Sequence, residues 1–148
     1  KDVGFAVIEE IIRVALFEFW IKPLQQGNPV DAMVAILAES GQRMTLDDIR
    51  LGCPLANLSQ EMSPVDESFR ERIEALYSEW RTGLENALKR GQKLKQVKIE
   101  IDCEATAIML IASLEGCLSA AKNAQSRTIL HKCGDSLVHV LNNMRVQE

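Results

Sequence analysis

Residues 105–121 are the most constraining segment of the chain, because Glu115 is their only charged residue. A helix that is apolar on all sides has to be covered on all sides, so we expect this one to be buried all round. The run is somewhat shorter than the roughly 20 residues of a membrane span, and it also contains Thr106, Ser113 and Ser119. The sequence therefore predicts a core helix of a soluble, all-helical domain, with no membrane as a partner.

Composition favours a single aliphatic core. The chain has 148 residues, of which 47% are hydrophobic and only 5% aromatic, which suits one domain. β-Branched residues are scattered rather than alternating, and this favours helix over strand. The formal net charge is −4, so this chain by itself is a poor candidate for contact with phosphate backbones. A local basic cluster follows a long predicted helix, where cations suit the helix dipole; it contains Lys89, Arg90, Lys93, Lys95 and Lys98.

The four cysteines form no C-x-x-C pair; they are Cys53, Cys103, Cys117 and Cys133. Together with His131 and His139 they match no zinc template, so neither a metal nor another cofactor is expected. We interpret the cysteines as reduced thiols of a cytoplasmic protein, three of them packed as small hydrophobic residues. His131 near Cys133 is the best catalytic pair in the chain, but no third residue stands at catalytic spacing, so an enzyme is not expected.

Periodicity and capping signals predict a bundle of about six helices. Ser63 is expected to cap the longest helix, with Pro64 in its first turn and Gly91 at its end. Pro54 predicts a break in the preceding helical segment. Residues 92–101 are predicted as a loop, since their short alternating run has no partner strand. The predicted helical segments are residues 2–22, 28–41, a short one from residue 45, 55–62, 63–91, 102–124 and 126–145.

Small residues recur at helical spacing along the apolar segment and would let another helix approach closely. They are Ala112, Ser113, Gly116, Ser119 and Ala120. The approaching helix is either the last helix of the same chain or a helix of a second subunit. We favour the second subunit, because Gly inside a helix costs about 1 kcal/mol and twofold pairing is the commonest assembly. Glu115 within this segment is either a hydrogen-bonded or ion-paired core residue or a ligand contact.

The order of several segments resembles one protein family. Residues 52–62 read Gly-Cys-Pro-Leu-Ala-Asn-Leu-Ser-Gln-Glu-Met, a long helix with Trp80 follows, and the apolar helix carries Leu-Glu-Gly at 114–116. This order resembles the C-terminal region of TetR/AcrR-type transcriptional regulators, and residues 1–7 are similar to the start of that family's connecting helix. The resemblance covers essentially the whole chain and is strongest over residues 52–122. Residues 1–148 contain no helix-turn-helix, and we expect that domain to be missing before residue 1, so these residues are not expected to bind an operator by themselves.

The resemblance implies a homodimeric repressor domain in the cytoplasm of a bacterium. The last two helices of each subunit, residues 102–124 and 126–145, would form a four-helix bundle with those of the partner. The other helices would enclose a pocket for a small, largely apolar effector. Ligand binding would shift the connecting helix, residues 2–22, and so change operator binding by the missing N-terminal domain. The expected interface residues are Ser113, Gly116, Ala120, Leu130, Leu137, Val138 and Leu141.

Candidate ligand contacts come from several helices, as a cavity inside a bundle requires. They are Phe17, Trp20, Met33, Leu37, Asn57, Met62, Tyr77, Trp80, Leu110 and Leu114. Each could instead be a core residue, and the polar groups of Asn57, Tyr77 and Trp80 could orient a ligand or satisfy one another. An oxidant-sensing role is not expected for Cys53, because the sequence offers no neighbouring base or cation that would lower the pKa of its thiol. The alternative function is a stand-alone helical homodimeric interaction module with no role in DNA binding.

Overall fold

The computed structural model describes residues 1–147, and its regular elements are helices. The first helix, α1, spans residues 2–21 and alternates in geometry: Asp2–Ala6 and Arg13–Leu16 are α-helical, whereas Val7–Ile12 and Phe17–Ile21 are π-helical. A 3₁₀ turn, Lys22–Gln25, follows. The remaining helices are α2 (Pro29–Arg43), α3 (Leu46–Leu51), α4 (Pro54–Met62), α5 (Glu67–Lys93), α6 (Cys103–Ala124) and α7 (Arg127–Asn142). The all-α bundle predicted from the sequence is confirmed.

Side-chain caps determine where most of the helices begin. The Asn28 side chain accepts a hydrogen bond from the backbone N–H of Val30 at 2.9 Å, which satisfies one of the free N–H groups of the first turn of α2. Thr45 and Asp48 form a reciprocal capping box at the start of α3, as the sequence indicates. The caps of α5, α6 and α7 are Asp66, Asp102 and Ser126.

The predicted start of the longest helix at Ser63 is wrong. The backbone N–H groups of Val65 and Asp66 both donate to the Met62 carbonyl, so this segment closes a turn after α4 instead of opening a helix. Asp66 then takes the capping position. The predicted break at Pro54 is confirmed, because α3 ends at Leu51 and is followed by Gly52, where φ is 75°, before α4 begins.

The predicted end of the longest helix at Gly91 is also wrong, since α5 continues to Lys93. Gly91 has a packing role instead: a Cβ there would lie 2.7 Å from Pro29 Cγ and 2.6 Å from Val97 Cγ2. Val97 belongs to the loop after α5 and forms an isolated antiparallel bridge with Arg145. The extended residues after α5 therefore do find a pairing partner, in the segment that follows α7.

Helix α5 is the centre of the hydrophobic core. Its apolar stripe is buried, apart from the half-buried Tyr77; the buried members are Phe69, Ile73, Leu76, Trp80, Leu84 and Leu88. Each fully buried Leu or Ile contributes about 1.5–3 kcal/mol to folding. The stripe packs against α1, α2 and α6, so α5 is the support on which the other helices are held.

Helix α6 is buried on one side only within this chain, so the prediction of burial all round is wrong for the protomer. Cys103, Ala107, Leu110, Ile111, Cys117 and Ala121 face the interior. The opposite side is exposed; we call it the outer α6 face and define it as Ala105, Ile108, Met109, Ala112, Gly116 and Ala120. The chain has too few helices to cover both sides. Within the described residues, α6 is also the one helix that is long and apolar enough to cross a membrane. Core helices of soluble proteins can have the same length and composition.

A disulfide joins Cys117 of α6 to Cys133 of α7, with a Cα–Cα distance of 5.7 Å. The interpretation of all four cysteines as reduced thiols is therefore wrong for this pair. The two cysteines are equidistant in sequence from Gln125, the left-handed residue at which α6 turns into α7. In a helical hairpin, two residues at equal distances from the turn lie side by side. The pairing of these cysteines could therefore have been predicted from the position of the turn between α6 and α7. Cys53 and Cys103 are free thiols.

Candidate ligand-binding cavity

An apolar inner cavity of about 50 Å³ lies between the end of α1 and helices α2, α5, α6 and α7. Its wall is made of aliphatic side chains and two indoles, and it leaves little room for a polar group. The lining residues are Trp20, Leu24, Met33, Ile36, Leu37, Trp80, Leu84, Leu110, Ile111, Leu114, Leu137 and Leu141.

A larger cleft of about 730 Å³ adjoins the inner cavity. Six residues line both spaces, so the cavity is the inner end of the cleft: Trp20, Ile36, Leu37, Trp80, Leu114 and Leu137. Pockets for small molecules usually have volumes of about 300–1,000 Å³ and largely apolar walls. The cleft therefore has the size and the wall chemistry of a site for a small apolar molecule.

Helix α1 forms one wall of the cleft. The side chains that it contributes come mainly from the two π-helical segments and are Val7, Ile11, Ile12, Ala15, Leu16, Phe19 and Trp20. π-Helical turns are rare and are frequent at functional sites. The rim of the cleft carries the polar groups, including the Arg43–Glu39 ion pair at 2.6 Å and His131.

Six of the ten predicted ligand contacts lie together in the wall of the cavity or cleft: Trp20, Met33, Leu37, Trp80, Leu110 and Leu114. The other four lie elsewhere. Phe17 is 40% exposed and lines neither space, Met62 packs against the edge of the core, and Tyr77 lies behind Trp80, with 6.5 Å between ring centroids. Among the wall residues that the prediction missed are Leu16, Ile36, Leu84, Ile111 and Leu137, although helical periodicity marked several of them as core.

Asn57 has a structural role instead of lining the cavity. Its side-chain amide donates to the Leu51 carbonyl at 2.7 Å, and its Oδ1 accepts from Lys122 Nζ at 3.0 Å. These bonds fasten the junction between α3 and α4 to α6. Gly52 permits this arrangement, because it has a positive φ and an added Cβ would lie 2.8 Å from Lys122 Cδ.

Two tryptophans meet at the inner end of the cleft. The ring centroids of Trp20 and Trp80 are 5.5 Å apart with the planes tilted by 49°, an arrangement that aromatic pairs favour. Trp80 is buried, whereas Trp20 is half-buried and reaches into both spaces. Because these are the two tryptophans of the chain, its indole fluorescence reports on this site.

Glu115 lies on α6 beside the cleft wall and is held by Cys53. The Cys53 thiol donates to Glu115 Oε1 with an Sγ–O distance of 3.4 Å, while the buried Oε2 has no hydrogen-bond partner within residues 1–147. Burial raises the pKa of the Glu115 carboxyl. Burial and the neighbouring carboxylate raise the pKa of Cys53 to about 11, so this thiol stays protonated and is a poor nucleophile. The sequence allows two interpretations of Glu115, either as a hydrogen-bonded or ion-paired core residue or as a ligand contact. The structure shows a hydrogen-bond partner for it, Cys53, which favours the first interpretation.

The predicted interface residues divide between two sides of the last two helices. Leu130, Leu137 and Leu141 are buried inside the protomer. The apolar stripe of α7 covers the chain's own core, so these side chains leave little surface for the subunit contact predicted for them. Ser113 and Val138 are half-buried, and Gly116 and Ala120 lie on the outer α6 face. The predicted interface residues that are exposed in the protomer therefore both lie on α6.

Comparison with known proteins identifies the family. A family model described as the C-terminal domain of LmrA/YxaF-like transcriptional regulators matches residues 29–136. A TetR transcriptional regulator from Chloroflexus aurantiacus has a TM-score of 0.81 at 21% identity over 99% of this chain and 74% of that chain. The regulatory protein TetR from Rhodobacter sphaeroides gives 0.80 at 20% identity, with coverage of 93% and 74%. The search of curated proteins gives no match.

The fold and the family match define the class as the C-terminal domain of TetR-type regulators. The chain belongs to the LmrA/YxaF-like family of such domains. A regulatory role in ligand binding and dimerisation follows from this membership, and proteins of this kind are transcriptional regulators and not enzymes. They are typically homodimers that bind operator DNA and small-molecule effectors, and they are soluble.

Proposed function

We propose that the 730 Å³ cleft binds a small, largely apolar effector and that binding releases a repressor from its operator. The observation that carries this proposal is that α1, which corresponds to the connecting helix of the family, is itself a wall of the cleft. An effector that fills the cleft therefore touches the helix that would carry the DNA-binding headpiece. The ligand would contact α1 directly, so no other helix is needed to transmit the movement.

The attachment of α1 to α5 is consistent with such a movement. On the α5 side, the Phe5 and Phe69 rings are 4.8 Å apart, and Arg13 pairs with Glu79 at 2.8 Å. Exposed ion pairs of this kind contribute only about 0–1 kcal/mol each. On the side of α1 that faces the cleft, the described structure shows the Trp20–Trp80 ring pair, with 5.5 Å between ring centroids, but no ion pair to another helix. A ligand that binds there could shift the helix by its differential affinity for the two positions.

We also propose a homodimer formed through the outer α6 face. Ile108 and Met109 are exposed there beside the small residues Ala112, Gly116 and Ala120, and small residues allow a partner helix to approach closely. A cytoplasmic location and operator contact through an N-terminal domain complete the proposal. The alternative, a stand-alone interaction module, would use the same outer face but gives no reason for the apolar cleft beneath α1.

The test of ligand binding uses N-phenyl-1-naphthylamine, an uncharged apolar dye, as the probe. We expect saturable binding that quenches the fluorescence of Trp20 and Trp80, because both indoles lie at the inner end of the cleft. Ala15→Phe places a ring in the cleft from α1 and should weaken binding about tenfold, equivalent to about 1.4 kcal/mol. Ala35→Phe is the matched control, since Ala35 is an exposed helical alanine outside both linings. Non-saturable binding, or equal affinity in the two variants, would count against the proposal.

A further inference from the structure

The disulfide between α6 and α7 lies in the wall of the effector cleft. Cys117 lines the cleft directly, and so do His131 and Gly134, which flank Cys133 on α7. Cys117 is buried in the protomer, so the cleft is the side from which a small reagent would approach it. The same bond joins α7 to α6, the helix whose outer face the proposed function places at the subunit contact.

We propose that Cys117 and Cys133 are a redox couple that responds to low-molecular-weight disulfides such as glutathione disulfide and sets the affinity of the cleft for its effector. This inference rests on the proposed function of the cleft. A regulator that acts on DNA in the cytoplasm works where thiols are kept reduced, and disulfides found there are usually transient or redox-sensing. Oxidation of this pair would then be a signal in addition to the effector.

The chemistry needs only the pair and the small disulfide. The thiolate of Cys117 attacks one sulfur of glutathione disulfide, the glutathione S–S bond breaks, and one glutathione thiolate leaves and takes up the proton that Cys117 lost. The Cys133 thiolate then attacks the Cys117 sulfur of the mixed disulfide and releases the second glutathione in the same way. Two cysteine thiols are oxidised to one disulfide, and one glutathione disulfide is reduced to two glutathiones.

The other two cysteines do not take part in this exchange. The Cys53 thiol donates to Glu115, and its raised pKa of about 11 keeps it protonated. Cys103 is buried, and its Sγ lies 3.2 Å from Gln92 Oε1, to which its thiol donates. Burial raises the pKa of the Cys103 thiol as well. Cys117 and Cys133 are the pair that the helical hairpin holds side by side.

Reduction changes the cleft wall through the spacing of two helices. Bonded sulfur atoms are about 2.0 Å apart, whereas two thiol sulfurs separate at least to van der Waals contact, so breaking the bond removes its restraint on the spacing of α6 and α7. In the oxidised chain the disulfide restrains this part of the cleft wall, and a restrained site loses less conformational entropy when a ligand binds. We therefore expect the oxidised chain to bind an apolar ligand more tightly than the reduced chain.

The first experiment titrates the 148-residue chain with mixtures of reduced and oxidised glutathione, followed by alkylation and mass spectrometry of the trapped thiols. We expect the Cys117–Cys133 pair to interconvert fully in the folded protein across these mixtures. A pair that stays oxidised in excess dithiothreitol until the chain is unfolded would overturn the proposal. So would a pair that stays reduced in excess glutathione disulfide.

The second experiment measures the dissociation constant of N-phenyl-1-naphthylamine in both redox states. We expect it to be at least about fivefold lower in the oxidised chain, the lower end of ordinary coupling between sites. Cys133→Ser should lose the response, and Cys103→Ser, which removes a thiol away from the cleft, should keep it. Equal or weaker binding by the oxidised chain would overturn the inference, whereas no saturable binding in either state would overturn the proposed function itself.

Discussion

Ile108→Asp tests the role of the outer α6 face. Ile108 is 49% exposed in the protomer, so a proposed partner subunit would bury about half of its side chain. Full burial of an isoleucine is worth about 1.5–3 kcal/mol, and half of that is about 1 kcal/mol per copy. A twofold interface contains two copies, so loss of the apolar contact costs about 2 kcal/mol per dimer.

The introduced aspartates add to this loss. Each carboxylate would be removed from water without a partner, at a cost of at least about 1–3 kcal/mol, so the total reaches about 4 kcal/mol or more. Since 1.4 kcal/mol corresponds to a factor of ten, the dissociation constant of the dimer should rise by about 1,000-fold. The protomer should keep its stability, because its own core does not use the exposed part of Ile108.

Sedimentation velocity over a range of protein concentrations measures the change. Ile99→Asp is the matched control: it is the same substitution at a side chain that is 79% exposed in the loop after α5, away from the outer α6 face. We expect the control to dimerise like the unmodified chain. A monomeric unmodified chain at micromolar concentration, or an Ile108→Asp variant that dimerises like the control, would refute the assignment of this face.

Two further predictions concern the protomer itself. Gly91→Ala should destabilise the chain by about 1–3 kcal/mol in chemical denaturation, because the new methyl group meets buried Pro29 and Val97; Gly41→Ala, where the space is open, should cause no loss, and equal effects would contradict this packing. Glu115→Gln should flatten the stability–pH profile at pH values above 4.5, the ordinary pKa of a Glu carboxyl. Burial raises the folded-state pKa of Glu115, so its contribution is present at low pH and lost as pH rises through that pKa; an unchanged profile would show that this carboxyl titrates normally.

Local signals in the sequence were sufficient for helix boundaries that depend on one side chain. The helices predicted from residues 28 and 45 do begin there, capped by Asn28 and by the Thr45–Asp48 pair, because an N-cap is decided within three or four residues of sequence. The predicted capping role of Ser63 is wrong for an equally local reason, since Asp66, three residues later, takes the capping position. The π-helical turns of α1 have no side-chain signature in the sequence and became visible only in the backbone.

The cavity was harder to predict than the core, because a periodic stripe shows which side of a helix is buried but not what covers it. Leu137 and Leu141 were assigned to a subunit contact although they line the inner cavity. Asn57 and Tyr77 were given weight for their polar groups, but rotation of their helices takes both away from the lining. The predicted contacts that do lie in the lining, such as Trp80 and Leu114, are at positions where several helices converge.

The two sides of α6 connect the proposed activities of the chain. Leu110, Leu114 and Cys117 line the cavity and cleft on one side, while Ile108 and Gly116 belong to the outer face on the other. A helix of 22 residues moves as one body, so a displacement that follows ligand binding or reduction of the disulfide is also a displacement of the proposed dimer contact. By linkage, dimerisation must then alter both ligand affinity and the redox equilibrium of the pair. Concentration-dependent reduction of the disulfide is therefore a consequence of the same geometry.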